Sequence, residues 1–265
     1  MEVHAHTHPS SSSGQRKKWT HYLWEFLMLF LAVFCRFLAE YQLEHKIEKD
    51  RENQYMHSML KDLEKDTASI NRAIAGNSTV IKGLDTLLNM LASAENDKAN
   101  QKNLFLYSVK YTYWFFTVEF SELTLSQLKN GGGYRLIKNN NVAAGIAEYA
   151  QGLEFCRFQF TELIQYFHKY EETQKKIINW SLAKKAYDWL NKDMTNMLRP
   201  MEEIEKLVIA GNYILPNASG YLPQYYSELL FYSSAMENLH TYFERQKQKA
   251  ISLIQLIREN YKFKN

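Results

Sequence analysis

The sequence from Trp19 to Leu43 reads WTHYLWEFLMLFLAVFCRFLAEYQL and has ten consecutive apolar residues, Phe26 to Cys35, at its centre. An α-helix needs about 20 mostly apolar residues to cross a hydrocarbon layer about 30 Å thick. The stretch meets this length if Glu25, Arg36 and Glu40 are tolerated away from its centre. We therefore predict a single membrane-spanning helix over residues 19–43.

Two other interpretations of this stretch compete with a retained anchor. An amphipathic helix on the membrane surface keeps one polar face, whereas residues 26–35 are apolar on every side. A cleaved signal peptide ends in a small-residue cleavage site, whereas Arg36 and Glu40 follow this apolar run. The pattern favours the retained membrane helix.

The ionisable side chains of the span share one face of the helix. At 100° per residue this face carries His21, Glu25, Arg36 and Glu40. Ionisable groups inside membranes face protein or water and find partners, which predicts docking to another membrane protein or to a second copy. The alternative is that Glu25 and Arg36 extend to opposite headgroup layers while Arg36 pairs with Glu40 four residues later.

Residues 1–18 read MEVHAHTHPSSSSGQRKK, and their composition predicts a disordered tail. His4, His6 and His8 alternate but lack a fourth ligand, so we predict no metal site. The tail carries Arg16, Lys17 and Lys18, and the side after the span carries Lys46, Lys49 and Arg51 mixed with acids. Because acids count little in the positive-inside rule, the two sides are nearly equal. The basic residues of the tail lie closer to the apolar core and have no acid beside them, which favours a tail in the cytoplasm and the remainder outside.

Residues 44–265 are predicted to form one soluble helical domain. The chain is 46% apolar and contains only 10 Gly and 4 Pro, which is typical of an all-α protein with long helices. Met56, Leu63 and Ile70 lie seven residues apart and predict that the first helix continues to Ala75. Gly76-Asn77 then predicts a break, followed by a second amphipathic helix at Val80, Ile81, Leu84, Leu87, Leu88 and Leu91.

The middle of the chain gives a mixed pattern before a clear one. Residues 104–128 alternate like a strand and also recur like a helix, and the absence of a strand partner favours a helix. Asn130 to Gly133 predicts a turn. A long helix follows, marked by two heptad series: Ile146, Leu153, Phe160, Phe167 and Tyr149, Cys156, Leu163, Tyr170.

We expect this long helix to run on to Leu198, where Arg199-Pro200 interrupts it. A short piece follows from Met201 to Val208. The last helix is predicted over Gln224 to Asn260 from a further heptad series: Leu229, Met236, Phe243, Ala250 and Ile257. The predicted fold is all-α, a single transmembrane helix that continues into an antiparallel helical bundle.

Two stretches, YMHSMLKDLEKD and FSELTLSQLKNGGGYRLIKNNNVAAGIAEY, resemble a family of uncharacterised Gram-negative bacterial single-pass membrane proteins. The second stretch carries the family pattern at Phe120, Glu122, Leu123, Gly133, Leu136, Ile137, Asn139 and Tyr149. The resemblance implies a bacterial inner-membrane protein and no particular activity. With the charge rule above, it implies a periplasmic position for the helical domain.

Candidate chemical sites do not assemble into a catalytic set. Gly131 to Gly133 with Arg135 and Lys138 resembles a phosphate loop only loosely, because no strand precedes it. Glu237 and His240 form half of a di-iron signature without its second half, and Glu44 and His45 are adjacent and face apart. We predict no catalytic residue, no metal, no cofactor and no enzyme activity.

Charge and cysteine content exclude other classes of protein. The net charge of +3 comes from basic residues that alternate with acids, so we expect no nucleic-acid partner. The two cysteines, Cys35 and Cys156, are not expected to form a disulfide.

Two functional hypotheses follow from the sequence. The first is a non-catalytic interaction or scaffold subunit of a membrane complex, with the lipid bilayer and another membrane protein, or a second copy, as partners. The alternative is a sensor-like ligand-binding bundle in which residues 105–120 line a pocket and which acts through a partner.

Overall fold

The computed structural model describes residues 14–93 and 98–263, and its fold is all-α. Seven α-helices lie in these ranges: α1 (Gly14–Ala92), α2 (Lys98–Tyr111), α3 (Leu123–Asn130), α4 (Asn140–Gln174), α5 (Lys184–Lys192), α6 (Met201–Glu205) and α7 (Leu222–Asn260). The described residues form no strand, although Ile178 and Ile214 make one isolated antiparallel bridge.

The chain divides into two compact units, Met1–Gln54 and Tyr55–Asn265. In the first unit, α1 begins at Gly14, and residues 14–18 are therefore helical, although they belong to the predicted tail. The rest of that tail, with His4, His6 and His8, lies outside the described residues. The large apolar side chains between Trp19 and Ile47 are all exposed, and α1 contains an 18-residue window that is apolar enough to cross a membrane.

The second unit is built on the antiparallel pair α4 and α7. Asn139, which caps α4, donates from Nδ2 to Oδ1 of Asn260 at 2.7 Å, and Gln174 at the other end of α4 donates from Nε2 to the Tyr225 hydroxyl at 2.8 Å. The predicted heptad positions of α7 are all buried, which confirms the long final helix. In α4, Phe160 and Phe167 are only partly buried and the other predicted positions are buried.

The residues of α1 from Tyr55 onward contribute a third side to this core. Met56, Leu63 and Ile70 are fully buried, as their spacing predicts. However, the predicted break at Gly76-Asn77 is wrong, because α1 continues through both residues to Ala92. Both residues are buried against residue Phe116, so their role is to accept a packed segment and not to end the helix.

The helix predicted over residues 104–128 is correct only in part. Helix α2 ends at Tyr111 and α3 begins at Leu123, and residues 113–122 have no regular secondary structure. This connector is held by side chains of α1: Asn77 bonds to Phe116, and Asp66 accepts from the Ser121 backbone N–H at 2.8 Å. Tertiary hydrogen bonds therefore replace the helical ones in this segment.

The predicted continuation of α4 to Leu198 is also wrong, because α4 ends at Gln174. Residues 177–179 pair with residues 213–215 instead, through Asn179 N to Tyr213 O at 3.0 Å and Leu215 N to Ile177 O at 2.8 Å. A 3-10 turn (Trp180–Leu182), α5 and a second 3-10 helix (Met194–Leu198) follow. Ile177 and Ile178, which extended the helical pattern, are buried in this non-helical segment.

The predicted turn at Asn130 to Gly133 is confirmed, and an asparagine caps the helix that follows. Gly132 has a φ of +66° between the end of α3 and the 3-10 helix Gly133–Leu136, which is a conformation that glycine adopts without strain. The Asn139 side chain accepts hydrogen bonds from the backbone N–H groups of Asn141 and Val142 and so caps α4.

Candidate functional site

The polar face of the first unit is divided into two pairs within one helix. His21 Nε2 lies 3.6 Å from Glu25 Oε1, and Arg36 Nε donates to Glu40 Oε1 at 3.2 Å. All four side chains are exposed. The structure thus brings the predicted partner-binding residues together as two local pairs separated by the apolar run, and the Arg36–Glu40 pair is the one expected from the alternative interpretation.

Aromatic residues bracket the apolar run, a feature that the sequence interpretation missed. Trp19, Tyr22 and Trp24 are exposed at one end and Tyr41 at the other. With a rise of about 1.5 Å per residue, Tyr22 and Tyr41 are about 28 Å apart along the helix, close to the thickness of the hydrocarbon layer. Tyr and Trp are enriched at the two membrane–water interfaces of spanning helices, so this spacing is a sequence signal of the same kind as the apolar run.

The family-pattern residues serve the packing of the second unit and do not form one site. Leu136 and Ile137 are buried, Phe120 packs between the two core clusters, and Asn139 caps α4. Glu122 forms an ion pair with Arg157, and Leu123 is exposed. Gly133 is buried where an added Cβ would lie 2.9 Å from Leu128, so this position requires glycine.

Tyr149, the last residue of the pattern, binds a buried carboxylate. Its hydroxyl donates to Asp66 Oδ2 at 2.6 Å, and Asp66 Oδ1 accepts from the Ser121 N–H at 2.8 Å. Burial raises the pKa of Asp66, and the nearby Asp62 raises it further, although the two hydrogen bonds oppose this shift. The pair is a buried polar contact that joins α1, α4 and the connector.

A separate cavity opens on the second unit where the connector, the end of α4 and α5 meet. Its volume is about 370 Å³, and it is lined by Tyr113, Lys175, Trp180, Lys184 and Tyr187. The Tyr113 ring is edge-on to Trp180 (5.5 Å between centroids, 72°) and to Tyr187 (5.5 Å, 89°). Three aromatic rings therefore surround one concave space of a size typical of small-ligand sites.

One carboxylate holds two of the cavity residues. Glu171 Oε1 accepts from the Tyr113 hydroxyl at 2.5 Å and from Lys175 Nζ at 2.6 Å, and the Glu171 side chain is 16% exposed. Burial alone would raise the pKa of Glu171, but the hydrogen bonds from Lys175 and Tyr113 hold it below its usual range. The pKa of Tyr113 is raised by burial and by this carboxylate, so its hydroxyl remains a donor.

Within residues 14–93 and 98–263, no group of three or more His, Cys, Asp or Glu side chains is arranged to hold a metal ion. Cys156 is buried, and burial raises the pKa of its thiol to about 12, so the thiolate that reacts as a nucleophile is scarce near neutral pH. In the cavity beside Tyr113, the lysines are suited to hydrogen bonding and the aromatic rings to contact with an apolar ligand.

Comparisons with known proteins add no family to these observations. No protein-family model matches the chain. No curated protein and no solved structure is detectably similar to it.

Proposed function

We propose that this chain is a single-pass membrane protein that acts as a non-catalytic interaction subunit of a membrane complex. The observation that carries the proposal is the exposed apolar surface between Trp19 and Ile47, in a helix bounded by aromatic side chains. Leaving that much apolar surface in water is unfavourable by about 25 cal/mol per Å², so a lipid or protein partner must cover it.

The resemblance and the charge pattern support a bacterial inner membrane with the second unit in the periplasm. The orientation is tested with a variant in which Cys35 is replaced by serine and the exposed residue Lys129 by cysteine. Intact cells and lysed cells are each treated with a maleimide that does not cross the inner membrane. Labelling of intact cells, after outer-membrane permeabilisation only, supports the periplasmic position. Labelling that requires rupture of the inner membrane contradicts it.

Photo-cross-linking within the span tests the interaction itself. A photoreactive residue at Arg36 is compared with one at Leu27, which is exposed and lies on the opposite face of the helix, about 180° away. The proposal requires a protein cross-link, either to a second membrane protein or to a second copy, that is stronger from position 36. Equal cross-linking from both faces, or products with lipid alone, contradicts docking through the polar face.

A second candidate function, a ligand-binding sensor bundle, is favoured by the cavity beside Tyr113. Tyr113 belongs to the aromatic segment for which the sequence suggested a pocket, and it contributes one of the three rings. The two functions are compatible, since a ligand-binding unit that acts through a membrane partner needs both surfaces.

A further inference from the structure

The walls of the cavity beside Tyr113 are suited to a flat ligand. Trp180 and Tyr187 both meet the Tyr113 ring at steep angles. Neither ring stacks on Tyr113, so the space between the rings stays open. Aromatic faces attract other rings in offset or edge-to-face arrangements. A planar aromatic group is therefore the apolar shape that this space accommodates best.

The ionisable side chains that line the cavity include two lysines, each paired with a carboxylate outside the lining. Lys175 and Lys184 line the space, whereas their carboxylate partners, Glu171 at 2.6 Å and Asp188 at 3.0 Å, are not among the lining residues. An ammonium group has three donors, so an ion pair on one side leaves donors for a ligand. Three rings alone would also suit a cation, but the donors that the two lysines leave free favour a ligand with hydrogen-bond acceptors, which an ammonium group lacks.

The site is held in place before any ligand arrives. Glu171 fixes both the Tyr113 hydroxyl and Lys175, as described above, and His168 Nδ1 lies 3.7 Å from its second oxygen. On the other side, the residue before Trp180 is anchored twice: the Asn179 N–H donates to Tyr213 O, and its side-chain amide donates to Asn212 O, each at 3.0 Å. Such positioning lowers the ordering cost of binding.

We infer that the cavity formed by Tyr113, Trp180, Tyr187, Lys175 and Lys184 binds a planar aromatic anion of the aryl carboxylate class. This assignment rests on the second candidate function and specifies its ligand. The rings provide the apolar contact surface, and the two lysines meet the carboxylate.

Three probes with one ring system and different charges test the assignment: 2-naphthoate, 2-naphthylmethanol and 2-naphthylmethylammonium. Each is titrated calorimetrically into the full chain in lipid nanodiscs, with empty nanodiscs as the blank. We expect saturable binding with naphthoate the tightest. Because partly exposed charge pairs contribute modestly to binding, the double variant K175Q/K184Q should weaken naphthoate binding by about tenfold and remove its advantage over the alcohol.

Two further variants separate the contributions. W180L removes one wall and should weaken all three probes, whereas K185Q changes the lysine next to Lys184 that does not line the cavity and should leave the naphthoate affinity unchanged. Preferred binding of the ammonium probe that depends on Trp180 overturns the anion assignment but keeps the ligand-binding function. Absence of binding by all three probes, or binding that W180L does not change, overturns both.

Discussion

The side-chain amide of Asn77 forms hydrogen bonds with both backbone polar groups of Phe116. Its Nδ2 donates to the Phe116 carbonyl oxygen at 2.9 Å, and its Oδ1 accepts from the Phe116 N–H at 2.8 Å. One buried asparagine side chain thus satisfies the backbone N–H and C=O of Phe116, as a neighbouring β-strand would do in a sheet. The sequence Gly76-Asn77 is a docking position within α1.

Asn77→Ala should lower the melting temperature of the second unit, because it leaves two partly buried backbone groups without these partners. Unsatisfied groups of this kind cost about 1–3 kcal/mol, which corresponds to about 2–4 °C per kcal/mol for a unit of this size. Thermal unfolding followed by near-UV circular dichroism in detergent measures the change. Asn71→Ala, an exposed position on the same helix, is the control and should shift the midpoint by no more than about 2 °C.

Gly76→Ala should be destabilising although alanine is the better helix former. A Cβ at this position would lie 2.3 Å from the Phe116 ring, and overpacking costs about 1–3 kcal/mol against a propensity gain of about 1 kcal/mol. A double-mutant cycle with Phe116→Ala measures the coupling between the two positions. Gly76→Ala should cost less stability in the Phe116→Ala background, because the smaller side chain at position 116 leaves room for the added Cβ. Gly220→Ala, where no atom lies within 4 Å of the added Cβ, is the steric control. A stabilised Gly76→Ala variant contradicts the close approach.

Because of Asp66, the free energy of unfolding of the second unit should fall as the pH rises above about 4, the ordinary pKa of an aspartate side chain. Burial raises the folded-state pKa of Asp66, so the folded chain keeps a proton that the unfolded chain has released, and the unfolded state binds fewer protons. Stability is therefore lost from the unfolded-state pKa up to the folded-state pKa. Urea unfolding of wild type and Asp66→Asn between pH 4 and pH 7 should show the wild type losing stability relative to the variant.

Tyr149→Phe provides the second arm of this pH experiment. The Tyr149 hydroxyl favours the charged form of Asp66, so its removal should raise the pKa of Asp66 further and widen the pH interval of the loss. A stability difference between wild type and Asp66→Asn that does not change with pH, or that changes with the opposite sign, contradicts the shift.

Gly132→Ala should cost about 1–2 kcal/mol purely through the backbone, because an alanine at φ +66° is strained and nothing lies within 4 Å of its Cβ. Gly132→Asn should cost less, since asparagine enters this region more readily. Chemical denaturation of the three chains under identical conditions ranks them. Equal stability of the alanine and glycine chains would show that the turn adopts another conformation.

Much of the helical architecture is predictable from local pattern. The heptad series that starts at Leu229 predicted α7 to within two residues of its observed start, and those at Ile146 and Tyr149 predicted most of the buried face of α4. The exposed span from Trp19 is likewise a local property, because ten adjacent apolar residues have no polar face on any helix. A repeat spacing encodes one buried face regardless of what covers it.

Where one local sequence pattern is compatible with two conformations, the tertiary structure decided which one forms. Gly76-Asn77 resembles a helix end, and only the Phe116 ring and backbone packed against it show why α1 continues. The connector after Tyr111 has a helix-compatible pattern, but Asp66 and Asn77 bind its backbone in another conformation. Likewise, the cavity joins Tyr113 to Trp180 and Tyr187 from distant parts of the chain. Composition and spacing determined most of the buried helix faces and the apolar helix that could span a membrane. Contacts between residues far apart in sequence decided where helices end and which side chains share a site, because such contacts outweigh local propensity.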